Sequence, residues 1–168
     1  MDLQQQVAAL EKRVRDLEAR EAIRDLTARY AWTIDAEDWA GFGAIYAEDA
    51  VIDHSKWRST SYKGREAIVN FGKAHRDRML NTNRMVLNER ISVNGDKANA
   101  EAYFLYMYNR DGDSWIGWGV YKWEFRNIKG AWLISRMTLL PNTITTLAKG
   151  WGMETDRLPV APPLGTAK

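Results

Sequence analysis

The chain contains no cysteine. That absence excludes a disulfide framework, a thiolate nucleophile, zinc–cysteine sites and cysteine-ligated clusters. Histidine is nearly absent too, with only His54 and His75 in 168 residues. Neither stands among clustered carboxylates, so a metal centre is not indicated. Prolines number four, and Pro159, Pro162 and Pro163 fall together near the end, where an irregular tail is expected. No apolar run approaches the ~20 residues that would cross a bilayer. The stretch Met1–Arg20 has no apolar signal core, so a cytoplasmic location is the default expectation. Neither sign of charge dominates: 24 Lys and Arg stand against 22 Asp and Glu, interspersed, for a net charge of +2. No basic run of the nucleic-acid-binding kind occurs. There is no GxGxxG segment, no P-loop and no nucleophile elbow.

What remains is an ordinary globular composition, 45% hydrophobic and 27% charged, in a length that fits one domain with appendages. The surplus is aromatic, with eight Trp and seven Tyr. Such residues build cores, and they also line pockets for flat apolar ligands.

Hydrophobic periodicity divides the chain into helices followed by strands. Leu3, Val7, Leu10, Val14 and Leu17 alternate spacings of four and three, a heptad seam flanked by Glu and Arg. It can pack on its own domain or meet a neighbouring subunit. Helical spacing resumes over Glu21–Trp32, with Ala22, Ile23, Leu26 and Tyr30 on one stripe, and breaks at Asp35 and Asp38. A short helix is expected over Trp39–Tyr46, ended by Ala47–Asp49, then a strand over Val51–His54 and a third helix over Arg65–Arg78. From residue 83 the period becomes two. Strands are expected over 84–93, 97–109, 115–126 and 131–139, joined by turns at Asn94-Gly95-Asp96, Asp111-Gly112-Asp113 and Lys129-Gly130, with Pro141 stopping the last. Helices first and an antiparallel meander second read as α+β, with helices over one face of a curved sheet and a cavity between them. The expected division is a helical extension over 1–20, a domain over 21–145 and a tail over 146–168.

The run EAIRDLTARYAWTIDAEDWAGFGAIYAEDAVID resembles the opening of SnoaL-like proteins of the NTF2-like superfamily. KGREAIVNF, VNGDKANAEAYF and KGAWLISRMTL follow in matching order, and the resemblance covers roughly residues 15–145. Within that superfamily the chain is most similar to cofactor-independent lyases: scytalone dehydratase, bile-acid 7α-dehydratase, the hexachlorocyclohexane dehydrochlorinase, and formaldehyde-lyases of lignin-derived diaryl compounds. The resemblance implies a cone-shaped α+β barrel, a homo-oligomer (trimer or dimer), and neither cofactor nor metal.

It also implies a site. Those lyases carry an Asp at the end of the first helix that orients a strand His, and the His removes a proton. Asp35 matches the Asp, and Tyr30 a Tyr of the bile-acid dehydratase pattern. The family's His-x-x-x-Asn reads here Arg84-Met85-Val86-Leu87-Asn88, so Arg84 replaces the base. A guanidinium stays protonated and cannot take that role. An Asp35–Arg84 pair could present Arg84 to a phenolate, carboxylate or enolate oxygen, or could simply close the cone. His54, where scytalone dehydratase has a cavity Tyr, becomes the base candidate, with a hydrogen-bonded histidine free of catalytic duty as its alternative. His75 reads as solvated.

Family spacing turns Ala102, Phe104 and Tyr106 inward, together with Gly117, Gly119 and Tyr121. Phe104, Tyr106, Gly117, Gly119 and Tyr121 are thus the expected substrate-binding set, the glycines making room for a ring or marking a bulge. Trp115, Trp118 and Trp123 are expected in the core or an interface. The implied activity is a cofactor-independent lyase of aromatic-compound catabolism acting on an aromatic or polycyclic alcohol. It would work by dehydration or by retro-aldol-like cleavage releasing formaldehyde, with no nucleic-acid or membrane partner. A ligand-binding module or oxygenase-type small subunit is the alternative, and an isomerase or polyketide-type cyclase a further one.

Overall fold

Asp2 opens the first helix with a reciprocal cap: its carboxylate accepts from the Gln5 amide at 2.8 Å, while the Asp2 amide donates to the Gln5 side chain at 3.2 Å. In the computed structural model, which describes residues 2–150, that helix, α1 (Leu3–Asp35), runs unbroken through residue 20. Packing begins only at Ala19 and continues along Ile23, Leu26, Tyr30 and Ile34. The two aspartates at the break divide the work. Asp35 ends α1, whereas Asp38 caps α2 (Trp39–Ala44) by accepting from the Gly41 amide at 2.9 Å.

The remaining elements are β1 (Tyr46–Asp53), α3 (Ser55–Arg58), β2 (Ser61–Lys63), α4 (Arg65–Arg76), β3 (Leu80–Asn94), β4 (Lys97–Arg110), β5 (Asp113–Ile128) and β6 (Ala131–Thr146). The strands form one curved, unclosed sheet in the order β2-β1-β6-β5-β4-β3. The helices cover its concave face, and the fold is α+β as expected. Among the described residues no helix is long and apolar enough to cross a membrane. The tail from residue 151, including the expected irregular end, lies outside the described residues.

Three expectations on the elements are corrected. The second helix stops at Ala44, and the stretch from Tyr46, read from sequence as helix end and turn, is strand β1. Tyr46 pairs with Ile134 and Ile52 with Met137, in parallel with β6, so the sheet is mixed rather than a pure antiparallel meander. Tyr46, Ala47, Ala50 and Ile52 are buried in the core, and the pairing with β6 makes the stretch a strand. The short α3 and β2 were not foreseen.

Pro141 does not end β6. On one edge of β6 the pairing with β1 covers only positions up to Thr138, so at Pro141 the missing amide hydrogen has no ladder bond to make on that side. On the other edge the register with β5 slips between Trp118 and Gly119, leaving Asn142 as the extra residue of a bulge. Gly119 permits that bulge. A Cβ there would fall 2.2 Å from the Leu140 carbonyl oxygen and 2.7 Å from the Pro141 Cα.

Gly119→Ala is therefore expected to destabilise the protein by about 1–3 kcal/mol, the usual cost of overpacking a fitted interior. A urea denaturation midpoint equal to wild type would show that β6 can yield at this point.

Candidate active site

The cone holds a small cavity between helices and sheet, of about 50 Å³. Its wall is largely aromatic, with Phe104, Tyr106 and Tyr108 from β4, Tyr121 from β5, Tyr30 and Phe42 from the helices and Phe71 from α4. Phe104 stacks on Tyr121 at 4.5 Å between ring centroids, and Tyr30 meets Tyr121 edge-on at 5.5 Å. The strand phases place these side chains. Ala102, Phe104, Tyr106 and Tyr108 are buried on one face of β4, while Tyr103 on the other is half exposed.

Arg84 reaches this cavity from β3, an edge strand. Two irregularities aim it. The register with β4 shifts between Leu80 and Asn83 and again between Leu87 and Arg90, with Asn81 and Asn88 at φ +50° and +56°. Asparagine tolerates that left-handed region better than most residues. Before the second bulge the inward residues of β3 are Arg84 and Val86, and after it Ile91 and Val93. The bulge at Asn88 thus keeps all four on the side that faces α1 and the cavity. The Asn of the His-x-x-x-Asn pattern has a backbone reason here.

Asp35 holds Arg84 from behind. Its carboxylate forms an ion pair with the Arg84 guanidinium, accepts from the Arg84 amide at 2.6 Å and from the Thr82 hydroxyl at 3.0 Å. The side chains are 15% and 3% exposed, respectively. Asp35 is not part of the cavity wall; it borders an outer groove beside Trp32 and Asn83. On the inner side the guanidinium carbon lies 4.1 Å from the Tyr106 ring centroid. Tyr30 is within hydrogen-bonding reach of both Arg84 and Tyr121. Burial alone would lower the Arg84 pKa, but Tyr106, Tyr30, Tyr121 and Asp35 together lift it above the ordinary guanidinium value. Burial raises the pKa values of Tyr30, Tyr106 and Tyr121, so all three phenols stay protonated and act as donors.

Both histidines line the cavity. His54 is buried, and its pKa falls to about 4, first through burial and then through Arg58, against a smaller opposing effect of Asp53. His75, expected to be solvated, instead faces inward, with its Nε2 3.4 Å from the Tyr106 hydroxyl. Its pKa falls to about 3 through burial, with Arg84 and Arg58 adding to the depression. Phe71 sits between the two imidazoles, at 5.1 Å from His54 and 5.6 Å from His75. The signal for His75 was present in the sequence. Ile68, Phe71, Gly72 and His75 follow helical spacing, so the apolar stripe of α4 carries His75 inward. Arg58, the other cation of the wall, is the last residue of the unforeseen α3 and was not singled out from sequence.

Two expected binding residues are not in the wall. Gly117 and Gly119 lie opposite Tyr106 and Phe104, but β6 fills the space in front of them. A Cβ on Gly117 would fall 2.9 Å from the Ile144 side chain. Their lack of side chains serves sheet packing, the bulge alternative of the sequence reading. Trp123 is fully buried in the core, and Trp115 packs on Tyr108 at 6.0 Å. The structure thus brings Tyr30, Arg84, His54, Phe104, Tyr106 and Tyr121 to one cavity, adds His75 and Arg58, and sets Asp35 behind Arg84.

The SnoaL-like domain model matches residues 15–138. The chain belongs to the SnoaL-like domain family. Its fold is that of the NTF2-like superfamily. Among similar solved structures is hexachlorocyclohexane dehydrochlorinase LinA-type3 from Novosphingobium barchaimii LL02. It is 25% identical with a TM-score of 0.74, covering 79% of this chain and 92% of that one. A protein from Novosphingobium aromaticivorans assigned as an aromatic ring hydroxylase is 27% identical, with a TM-score of 0.71 and coverage of 79% and 96%. Another from Novosphingobium aromaticivorans, assigned as a scytalone dehydratase, is 19% identical with a TM-score of 0.71 and coverage of 91% and 97%, which shows the shared fold alone. No curated protein sequence matches the chain. Lyase-type enzymes therefore occur among the SnoaL-like neighbours of this protein.

The depressed histidines make stability pH-dependent. An unfolded histidine titrates near ~6.5, whereas the folded ones bind protons only near about 4 and about 3. Between those limits the unfolded chain holds more protons, so stability is fully present above the upper limit and is lost as pH falls through the window. The urea midpoint is expected to fall between about pH 7 and about pH 4.5, above the range where most carboxylates titrate. In His75→Gln that fall should be shallower. An identical pH slope in that variant would show that the imidazole is hydrated in the folded state.

Proposed function

We propose that this protein is a cofactor-independent lyase acting on a small aromatic hydroxy compound, in which Arg84 binds the oxygen that becomes anionic and His75 moves the proton. The observation that carries this reading is the wall itself. Among the described residues, Arg58 and Arg84 are its charged groups, His54 and His75 are its bases, and no Asp or Glu lines it. A fixed guanidinium in a partly desolvated aromatic cavity stabilises an oxyanion far more than it would in water.

His75 is favoured over His54 because it shares Tyr106 with Arg84, whereas the charges nearest His54 are Arg58 and Asp53. Burial is the larger cause of the His75 depression, and a ligand anion drawn to Arg84 would offset the part that Arg84 adds, raising the proton affinity of His75 when a substrate is present. In a dehydration, His75 would take a proton from carbon, the electron pair would form the C=C bond, and the hydroxyl would leave with the returned proton as water. In the retro-aldol alternative, the base would take the hydroxymethyl O–H proton. The C–C bond would then break, releasing formaldehyde, and the carbon left behind would be reprotonated. Arg84 and the phenols of Tyr30, Tyr106 and Tyr121 would hold oxygens in either case. Asp35 would act through Arg84 as a positioning residue. The dehydrochlorinase among the neighbours supports proton-abstracting elimination on this scaffold. The neighbour assigned as an aromatic ring hydroxylase favours the second reading, a binding domain or oxygenase-type subunit.

A mass-resolved turnover screen of the purified chain against aromatic hydroxy compounds, diaryl propanediols included, separates these readings. Loss of water or of formaldehyde is expected, and the product names the bond that breaks. Tight binding without turnover would instead support the binding domain. With a turned-over substrate in hand, Arg84→Lys is expected to lower kcat about a hundredfold or more, because an ammonium cannot reproduce the planar fork. His75→Gln should cost a similar factor, within the range of a lost general base. Unchanged kcat in either variant would remove that residue from the mechanism.

A further inference from the structure

The first turns of α1 are not buried by the rest of the described residues. Every residue from Asp2 to Arg15 is exposed, yet the helix is regular and capped at Asp2, so that it begins at the first residue of the heptad seam. Leu3, Val7, Leu10, Val14 and Leu17 are 46–75% exposed. At about 100° per residue, these five fall in one sector centred about 180° from the stripe of Ala19, Ile23, Leu26, Tyr30 and Ile34 that packs on the sheet. A helix packed only on its own domain would carry one apolar face, but α1 carries two, on opposite sides and at opposite ends. The side that holds Lys12, Arg15 and Asp16 lies toward the β3–β4 and β5–β6 turns, which leaves the seam facing away from the body. So long an uncovered helical segment is only marginally stable in water.

The residue types name the occupant. In heptad terms Val7 and Val14 occupy a positions, and Leu3, Leu10 and Leu17 occupy d positions. β-branched a residues with leucine at d favour two parallel strands. The flanks agree. Glu11 and Glu18 stand at e, and Arg13 and Arg20 at g. In a parallel pair g meets the following e of the other helix, so Arg13 faces Glu18 of a second copy, twice by symmetry. An antiparallel pair would set Glu against Glu and Arg against Arg. Glu21 and Arg24, at the next a and d positions, end the seam where packing on the sheet takes over.

We propose that α1 pairs with a second copy of this chain through its residues 3–20, forming a parallel, in-register, two-stranded coiled coil that joins two SnoaL-like domains. The seam buries in the pair what each monomer exposes, and the opposite face of α1 remains free to hold its own sheet.

Sedimentation equilibrium of the full chain is expected to give a mass of two copies. Leu10→Glu combined with Val14→Glu should halve that mass while leaving near-UV circular dichroism unchanged, because both positions are exposed in the monomer. A monomeric wild type, a three-copy species or a variant of unchanged mass would overturn the proposal. The absence of native cysteine provides an independent test. Under mild oxidation Leu3→Cys alone should cross-link to a covalent dimer, since only the parallel register brings the two copies of position 3 together. A mixture of the Leu3→Cys and Leu17→Cys chains should give each homodimer and no mixed species. Predominance of the mixed species would show antiparallel pairing and overturn the proposal.

Discussion

The carboxylate that ends α1 and the guanidinium near the start of β3 hold each other out of water, and the geometry of the cavity depends on that pair. Asp35 takes the Arg84 side chain on one oxygen and the Arg84 amide on the other. One residue therefore fixes both the backbone and the side-chain direction of the edge strand. Such a pair contributes little net stability, because both ions lose their hydration, but removing one partner strands the other and costs about 3–5 kcal/mol. What it supplies is placement. Higher along the same two elements, Thr27 contacts Glu89 and Arg20 donates to the Ile91 carbonyl at 2.5 Å. The last half of α1 is thereby fastened to β3 at successive turns, and the Asp35–Arg84 pair is the inner end of that seam.

This arrangement separates charge from base. A histidine at position 84, as the family pattern has it, could be oriented by Asp35 and could itself take a proton. An arginine there can only hold charge. On the proposed function, proton transfer falls to other groups of the wall, and the two imidazoles of the chain both lie there, on the helical side. The same buried cation that would bind an anion also pushes His75 toward its neutral form. A neutral imidazole is the state that accepts a proton. On that reading, anion binding and base strength are coupled through one guanidinium, which suits a ligand that brings its own negative charge or develops it.

Local pattern carried much of this into view before the structure. Period and turn chemistry placed most helices and all four long strands, because each is long, one-sided and bounded by Gly, Asn or Asp. The inward phase of Phe104, Tyr106 and Tyr121 was implied by the family resemblance rather than by local pattern, and all three side chains line the cavity. The failures share another cause. β1 and the continuation of β6 past Pro141 depend on partners far along the chain, and no local window records that β1 covers one edge of β6 only as far as Thr138. Gly117 and Gly119 looked like space for a ligand because sequence shows a missing side chain without showing what occupies the gap. His75 was misplaced through its polar neighbours Arg76, Asp77 and Arg78, although its spacing from Ile68 and Phe71 already put it on the buried stripe.

The two faces of α1 extend the same reasoning to the whole molecule. A hydrophobic pattern reports that something covers a surface, not what covers it. Over Ala19–Ile34 the cover is the chain's own sheet, and the stripe is rich in bulky core residues fitted to it. Over Leu3–Leu17 the pattern is stricter, with Val and Leu segregated to alternate positions and opposite charges segregated to the two flanks. A sheet does not demand that regularity, whereas a second helix of the same sequence does, because every position must be compatible with its own copy. The change of phase between the two stripes, about half a turn, lets one helix serve both partners without competition.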